Sequence, residues 1–207
     1  MSLAVTRWWL VRHAPVAGPP GIIHGQADVD CEIDPAAMRP LAAALPAEAV
    51  WLMTPLRRSR RTAEALMALG AGRGPVPEVE AGLVEQHFGA WQGLGHDALA
   101  GDAGAAEFWR DPAAARPPGG ESFLDLAARV AEALARRSRR HAGRDVVAVC
   151  HAGPVRAALA HALGMAPERA LSFEVVPLSL TRIDRLDAAD GPPAWRIGCV
   201  NLIGNGT

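Results

Sequence analysis

The chain contains no lysine and no tyrosine; all 21 of its basic residues are arginine. The first absence removes Schiff-base chemistry and a lysine general base, and the second removes a tyrosine nucleophile. Only three cysteines occur, Cys31, Cys150 and Cys199, an odd number without CxxC spacing. That argues against a disulfide framework and a thiolate zinc site, and makes a reducing cytoplasm the expected compartment. No apolar run approaches the roughly 18 residues of a membrane span. Arg7 and Arg12 interrupt the first apolar stretch, and it carries no small-residue cleavage site, so no signal peptide is expected there. With a net charge of −1 there is no basic field to hold nucleic acid.

What is present is apolar matter in short runs. Half of the 207 residues are hydrophobic, enough for a single domain over 1–207 with a substantial core. Continuous apolar runs at Trp8–Val11, Val50–Met53 and Val146–Cys150 suit strands of a sheet covered on both faces. Helical patterns follow at Pro35–Leu45, Leu56–Leu69, Glu121–His141 and from Gly153 to Leu163, with a short one at Ala103–Arg110. Two further strands are expected near Leu178–Ile183 and Trp195–Val200, joined by the loop at 187–193. A short extended piece falls near Val76–Val79. Strands alternating with helices predict an α/β fold, a three-layer α/β/α sandwich with a mostly parallel central sheet. The Ala/Gly/Pro-rich stretch 93–120 reads as a cap-like excursion over the sheet edge.

The three apolar strands end alike. The first delivers Arg12-His13, the second Thr54-Pro55-Leu56-Arg57-Arg58, the third His151. Ligands of open α/β sheets bind beyond the carboxyl ends of the strands, so two histidines and at least two arginines should meet in one crevice. Arginine is a planar fork suited to phosphate. Gly153-Pro154 opens a helix whose free N–H groups would also favour an anion. Histidine is the nitrogen nucleophile left to this chain, and arginines packed around it should keep it neutral. Glu85, in LVEQHFGAWQG, is the best-placed carboxyl to protonate a leaving oxygen. Gly89 and Gly93 there permit tight turns.

These stretches resemble the histidine phosphatase superfamily, the phosphoglycerate-mutase-like group. LVRHA is similar to the family's L-x-R-H-G, and TPLRRSRRTAEAL to S-P-L-x-R-A-x-Q-T-A. LVEQHFGAWQG is similar to L-x-E-x-x-F-G-x-W-E-G. PPGGES carries the family's G-G-E-S at Gly119–Ser122, and VCHAGPVRAAL resembles V-x-H-G-G-x-I-R. WRIGCVN is similar to the strand near the family's C-terminus. The motifs occur in the family's order and cover nearly the whole chain. The resemblance implies a phosphoglycerate-mutase-like fold and metal-independent, cofactor-free hydrolysis of a small phosphomonoester through a phosphohistidine. His13 would be the nucleophile and Glu85 the proton donor, with Arg12, Arg58 and His151 as the phosphate pocket and Ala152 and Gln26 beside the substrate. It leaves Arg57, Arg60 and Arg61 outside the pocket, as surface charges or guards of its mouth.

Departures from the pattern also inform. Alanine stands for glycine at Ala14 and Ala152, so neither position should need a positive φ. The asparagine often found six residues after the nucleophile is Pro19. His24-Gly25-Gln26 with Asp28 resembles the family's Gly-Arg/His-x-Asp loop and places Gln26 near the substrate. Trp109 is also placed there. His87, His96, His141 and His161 read as loop, surface, helix end and helix face. The run RRSRRH at 136–141 reads as the solvated C-terminal end of a helix, complementing its dipole.

Three rival readings stay open. A phosphoglycerate-mutase-type transferase would usually carry a longer insertion than the 33 residues between Glu85 and Gly119. A non-catalytic phospho-ligand binder would usually have lost the nucleophile or the donor. A zinc hydrolase could use His13, His24 and His151, but no HxxxH spacing supports it. RHAPV is similar to small bacterial phosphatases, including α-ribazole phosphatases. Oligomeric state is not legible, with a homodimer left open.

Overall fold

In the computed structural model, which describes residues 4–72, 76–188 and 191–204, six strands and six α-helices are formed. The strands are β1 (Ala4–Arg12), β2 (Val50–Met53), β3 (Glu78–Val79), β4 (Asp145–Cys150), β5 (Leu180–Asp187) and β6 (Ala194–Leu202). The helices are α1 (Pro35–Ala44), α2 (Arg57–Ala68), α3 (Ala103–Arg110), α4 (Phe123–Arg140), α5 (Ala152–Leu163) and the single turn α6 (Pro167–Ala170).

An unbroken apolar strand needs cover on both faces, and β4 has it: Val146, Val147, Ala148 and Val149 are all fully buried. The sheet order is β3-β2-β4-β1-β5-β6. The β3, β2, β4 and β1 pairings are parallel, while β5 and β6 join antiparallel. One face packs Trp8, Leu10, Val146 and Ala148 against Leu126, Val130 and Leu134 of α4 and Val155 and Leu159 of α5. The other packs Val11, Trp51, Val147 and Val149 against Met38 and Leu41 of α1 and Ala63 and Leu66 of α2. This is the expected three-layer α/β/α arrangement, with a mostly parallel sheet.

Local chemistry sets the helix ends. Pro35 sits in the first turn of α1, behind Asp34, whose carboxylate accepts from Ala36 N at 2.9 Å. Ser122 and Asp125 form a capping box on α4, so that helix begins two residues later than the apolar pattern suggests. Gly164 ends α5 in the left-handed region, with φ 59°. No helix among the described residues is long and apolar enough to cross a membrane. The three cysteines are free thiols.

Two expectations need correction. The fifth strand begins at Leu180 rather than Leu178, because Leu178 takes a φ of 59° that no strand continues through. The run 136–141 is not simply a solvated helix end. Helical spacing from Val130 and Leu134 carries Arg137, Ser138 and His141 onto the buried face. Arg137 Nε donates to Glu80 at 2.6 Å, Arg137 also pairs with Glu78 at 2.5 Å, and Arg136 reaches Glu80 at 2.7 Å. The Glu80 side chain is only 3% exposed, so this cluster fastens α4 to the β3 edge.

Removing one partner of a buried pair strands the other charge. Arg137→Met should therefore lower unfolding free energy by about 3 kcal/mol in urea titration. The double variant Glu80→Gln/Arg137→Met should lose less than the single one. A single-variant loss below about 1 kcal/mol would mean the pair is screened like a surface bridge.

Candidate active site

Parallel neighbours β2, β4 and β1 end on one edge, and their register decides what meets there. Met53 pairs with Val149 and Arg12 with Cys150, so His13 comes level with His151 while Thr54 stands level with Cys150, one step behind the two histidines. His13 N donates to Cys150 O at 3.0 Å, extending the ladder by one step.

His13 is 5% exposed. Its Nδ1 lies 2.6 Å from the carbonyl oxygen of Ala14, which can only accept, so the ring proton sits on Nδ1. Nε2 then carries the lone pair, and Arg58 Nε donates to it at 3.2 Å. Burial, with Arg58 next and Arg12 and His24 behind it, pulls the imidazole pKa down to about 3 despite the bond to Ala14. His13 is therefore a neutral, oriented nitrogen base at neutral pH.

His151 lies fully buried, its ring centroid 5.0 Å from that of His13. Thr54 Oγ1 lies 2.9 Å from its Nε2, while its Nδ1 is buried with no protein partner. Burial, then His13 and the arginines, hold its pKa well below the usual imidazole value. Arg12 spends Nη1 on Val175 O at 2.5 Å and keeps a buried, unpartnered Nε. Arg58, 1% exposed, binds Ala27 O and Gly25 O at 2.7 and 2.6 Å, fixing its guanidinium plane toward His13.

Arg57 and Arg61 of TPLRRSRR hold the loop that Arg58 reads. Asp28 caps α2 by accepting from Arg57 N at 2.6 Å, and Arg61 pairs with Asp30. These side chains strap residues 24–31 onto α2.

Glu85 reaches the site from a loop braced on several sides. Its Oε1 accepts from Gly153 N at 3.1 Å and from Gln86 N at 2.9 Å. The anion favoured by the α5 N-terminus is thus the protein's own carboxylate. Gly153 permits the approach, since a Cβ there would stand 2.3 Å from Glu85 Oε1. Gln26 Nε2 and Arg129 Nη2 both donate to Glu85 O, at 2.9 and 3.0 Å. Behind them the G-G-E-S stretch packs on the loop. Glu121 accepts from His87 N at 2.9 Å and pairs with Arg129. Gly89, at φ 52°, leaves no room for a Cβ against Pro118 O.

Arg12, His13, Arg58 and Glu85 open together into a pocket of about 330 Å³. Val16, Ile22, Ile23 and Phe88 give it an apolar wall, and His24, Gly25, His96, Trp109 and Arg156 complete the lining. His96 is exposed, as its sequence context suggests, and it also lines the pocket, its ring tilted against Trp109 with centroids 5.4 Å apart. Neither Gln26 nor Ala152 lines the pocket: the Gln26 amide is spent on Glu85 O, and Ala152 is in the first turn of α5. Ala14 and Ala152 both keep negative φ. Pro19, exposed, lines a shallower recess beside His13. Among the described residues no group of three or more His, Cys, Asp or Glu is arranged to hold a metal.

Sequence reasoning missed Thr54, Arg129 and Arg156. Thr54 was visible as the polar end of β2, and Arg156 as the arginine four residues beyond Ala152. Arg129 carried no local signal, because its role depends on the distant Glu85 carbonyl.

A family model described as "Histidine phosphatase superfamily (branch 1)" matches residues 8–191. The chain belongs to this superfamily. A curated relative, the glucosyl-3-phosphoglycerate phosphatase of Mycobacterium tuberculosis, is 42% identical over 113 residues, 50% of each chain. The chain thus spans about half the length of the curated relatives it first matches. The solved native structure of mycobacterial glucosyl-3-phosphoglycerate phosphatase superposes with a TM-score of 0.80 at 27% identity, covering 95% of this chain and 99% of that one. A structure titled as a putative α-ribazole-5′-P phosphatase from Escherichia coli gives a TM-score of 0.83 over 98% of both chains; at 23% identity it bears on the fold alone.

The neutral state of His13 is directly measurable. In an NMR titration its imidazole should stay neutral down to about pH 4, because its pKa lies near 3. Arg58→Met should raise that pKa. Since unfolding restores ordinary histidines, stability should fall as pH drops from the unfolded-state histidine pKa toward that folded value. A His13 imidazolium at pH 6 would contradict the assigned environment.

Proposed function

We propose that the protein is a metal-independent phosphomonoester hydrolase acting through a phosphohistidine. One observation carries this reading. A neutral imidazole presents its Nε2 lone pair to an arginine-lined pocket, next to two buried nitrogens, Arg12 Nε and His151 Nδ1, that lack any protein partner. Donors grouped around a nucleophile suit the equatorial oxygens of a phosphoryl group in flight.

As substrate enters, Arg58 Nε–H passes from His13 Nε2 to a phosphoryl oxygen, and the freed Nε2 attacks phosphorus in line, forming the N–P bond as the P–O bond to the alcohol breaks. Arg12, Arg58 and His151 hold the three equatorial oxygens. Thr54 donates its hydroxyl proton to His151 Nε2, which leaves a hydrogen on Nδ1 to offer. Glu85 gives its proton to the departing alkoxide, then takes one from the water that cleaves the N–P bond. Ala14 O keeps the Nδ1 proton of His13 in place throughout, so the attacking nitrogen is always Nε2.

Residues 93–120 act as a cap. They form the helical turn His96–Leu99 and α3, and pack Leu99, Ala105 and Phe108 against Ile23 and Trp91 in a small apolar cluster apart from the two faces of the sheet. The cap reading is supported by His96 and Trp109, which line the same pocket as His13. The cap is short, which favours hydrolysis over mutase transfer. The substrate is a small phosphorylated metabolite. The α-ribazole phosphate suggested by RHAPV has fold-level likeness behind it, whereas the likeness to the glucosyl-3-phosphoglycerate phosphatase is one of sequence as well as structure. A reducing, cytoplasmic setting fits the three free thiols.

The role of Glu85 gives the test. Glu85→Gln should cut kcat on alkyl phosphates by about 100-fold or more, the usual scale of a lost general acid. It should cost far less on p-nitrophenyl phosphate, whose leaving group needs little protonation. Assays run in EDTA on both esters decide it; equal losses would remove Glu85 from that role.

A further inference from the structure

Thr62 lies on α2, one turn beyond Arg58, and is fully buried. It does not line the pocket. Its hydroxyl donates to Arg58 O at 2.7 Å. A threonine inside a helix commonly bonds back to the carbonyl four residues earlier. Here the same oxygen does more, because it accepts from Ala14 N at 2.9 Å, across 48 residues of sequence. A carbonyl oxygen can only accept and a peptide N–H can only donate, so the hydroxyl has one orientation.

These bonds close a circuit around the nucleophile. Ala14 O holds Nδ1 of the His13 imidazole at 2.6 Å, and Arg58 Nε donates to its Nε2 at 3.2 Å. Thr62 Oγ1 joins the backbones of those same two residues, so four hydrogen bonds tie His13, Ala14, Thr62 and Arg58 into one ring. Cys31 Sγ stands 3.5 Å from Arg58 O and 3.8 Å from Thr62 Oγ1. A thiol is too weak a partner to replace the hydroxyl.

The direction of the Ala14 carbonyl depends on this ring. Pro15 confines Ala14 to extended backbone and has no N–H of its own. Further on, Glu32 N donates to Pro15 O at 2.8 Å, and Val16 bridges to Cys31. The carbonyl that faces His13 therefore lies between two pins, Thr62 before it and Glu32 after it. Ala14 is fully buried, so without the hydroxyl its N–H would be left unpaired away from water, a costly state.

We propose that Thr62 is a positioning residue for the nucleophile: its hydroxyl aims the Ala14 carbonyl at His13 Nδ1 and so presents the Nε2 lone pair to phosphorus. Which imidazole nitrogen carries the proton is set by the bond the other makes. Without the hydroxyl, Ala14 turns, the Nδ1 bond loosens, and part of the protein carries the proton on Nε2, which then has no lone pair to attack with. The kinetic side of this proposal rests on the phosphohistidine reading above; the tautomer side does not.

Thr62→Val keeps the shape and removes the hydroxyl, whereas Thr62→Ser keeps the hydroxyl. Thr62→Val should lower kcat/KM by about 10- to 100-fold, the scale of a misplaced reacting group. The factor should be the same on alkyl phosphates and on p-nitrophenyl phosphate, because attack is impaired and protonation of the leaving group is not. Inhibition by inorganic phosphate should stay at the wild-type level, since Arg58 remains held by Ala27 O and Gly25 O. Thr62→Ser should restore most of the rate. Nitrogen-15 NMR should show His13 with its proton on Nδ1 in the wild type and in Thr62→Ser, and a fraction with the proton on Nε2 in Thr62→Val. An unchanged rate, a parallel loss of phosphate inhibition, no rescue by serine, or an unaltered tautomer in Thr62→Val would each overturn the proposal. Should Thr62→Val not fold, the wild-type protein decides. A slowly exchanging Thr62 hydroxyl proton in contact with the Ala14 amide proton supports the proposal, and an Ala14 amide that exchanges as fast as an exposed one overturns it. If the wild-type protein hydrolyses none of these esters, the phosphatase reading fails, and the tautomer comparison alone judges Thr62.

Discussion

The structure depends on keeping one imidazole dry, neutral and correctly turned. His13 meets all three conditions through the backbone. Its ring is buried, its Nδ1 proton goes to Ala14 O, and its N–H is pinned to Cys150 O. The last bond exists only because β4 lies between β1 and β2 with Arg12 opposite Cys150. The same register places His151 beside His13, and Thr54, one step back on β2, reaches His151 through its hydroxyl. An apolar sheet interior is therefore more than a stability device here. It gives the low-dielectric backing that makes arginines effective at suppressing protonation of a neighbouring histidine.

Arginine does every cationic task in this chain, and its location separates the tasks. Arg57 and Arg61 hold the 24–31 loop through Asp28 and Asp30; Arg136 and Arg137 hold the β3 edge through Glu78 and Glu80. Arg129 holds the Glu85 loop from behind while paired to Glu121. Each of these charges has a carboxylate partner. Arg12, Arg58 and Arg156 form no such ion pair among the described residues and open on the pocket, which separates structural from ligand-facing arginines by partner.

Much of this was legible in the sequence. Continuous apolar runs gave the buried strands, and their polar ends gave His13, Arg58 and His151 at one sheet edge. The motif order gave Glu85. What was not legible depended on long-range contacts that no local pattern encodes. Gln26 lies near the site in sequence logic, yet its amide is taken by Glu85 O. His96 reads as surface and is exposed, but only the fold shows that it and Trp109, thirteen residues on, share the pocket rim. The 136–141 run reads as a helix tail until the buried Glu80 claims Arg136 and Arg137. Strand ends are fixed by hydrophobic period; the partners of a polar side chain are fixed by the assembled fold.

The central claim is that His13 Nε2 forms a bond to phosphorus. Rapid acid-free quenching of turnover with a phosphomonoester, followed by peptide mass spectrometry, measures it directly. A single phosphoryl group on His13, stable in base and labile in acid, is the predicted result, with none on a His13→Ala protein that also loses turnover. A phosphoryl group on another residue, or full turnover by His13→Ala, would contradict the account.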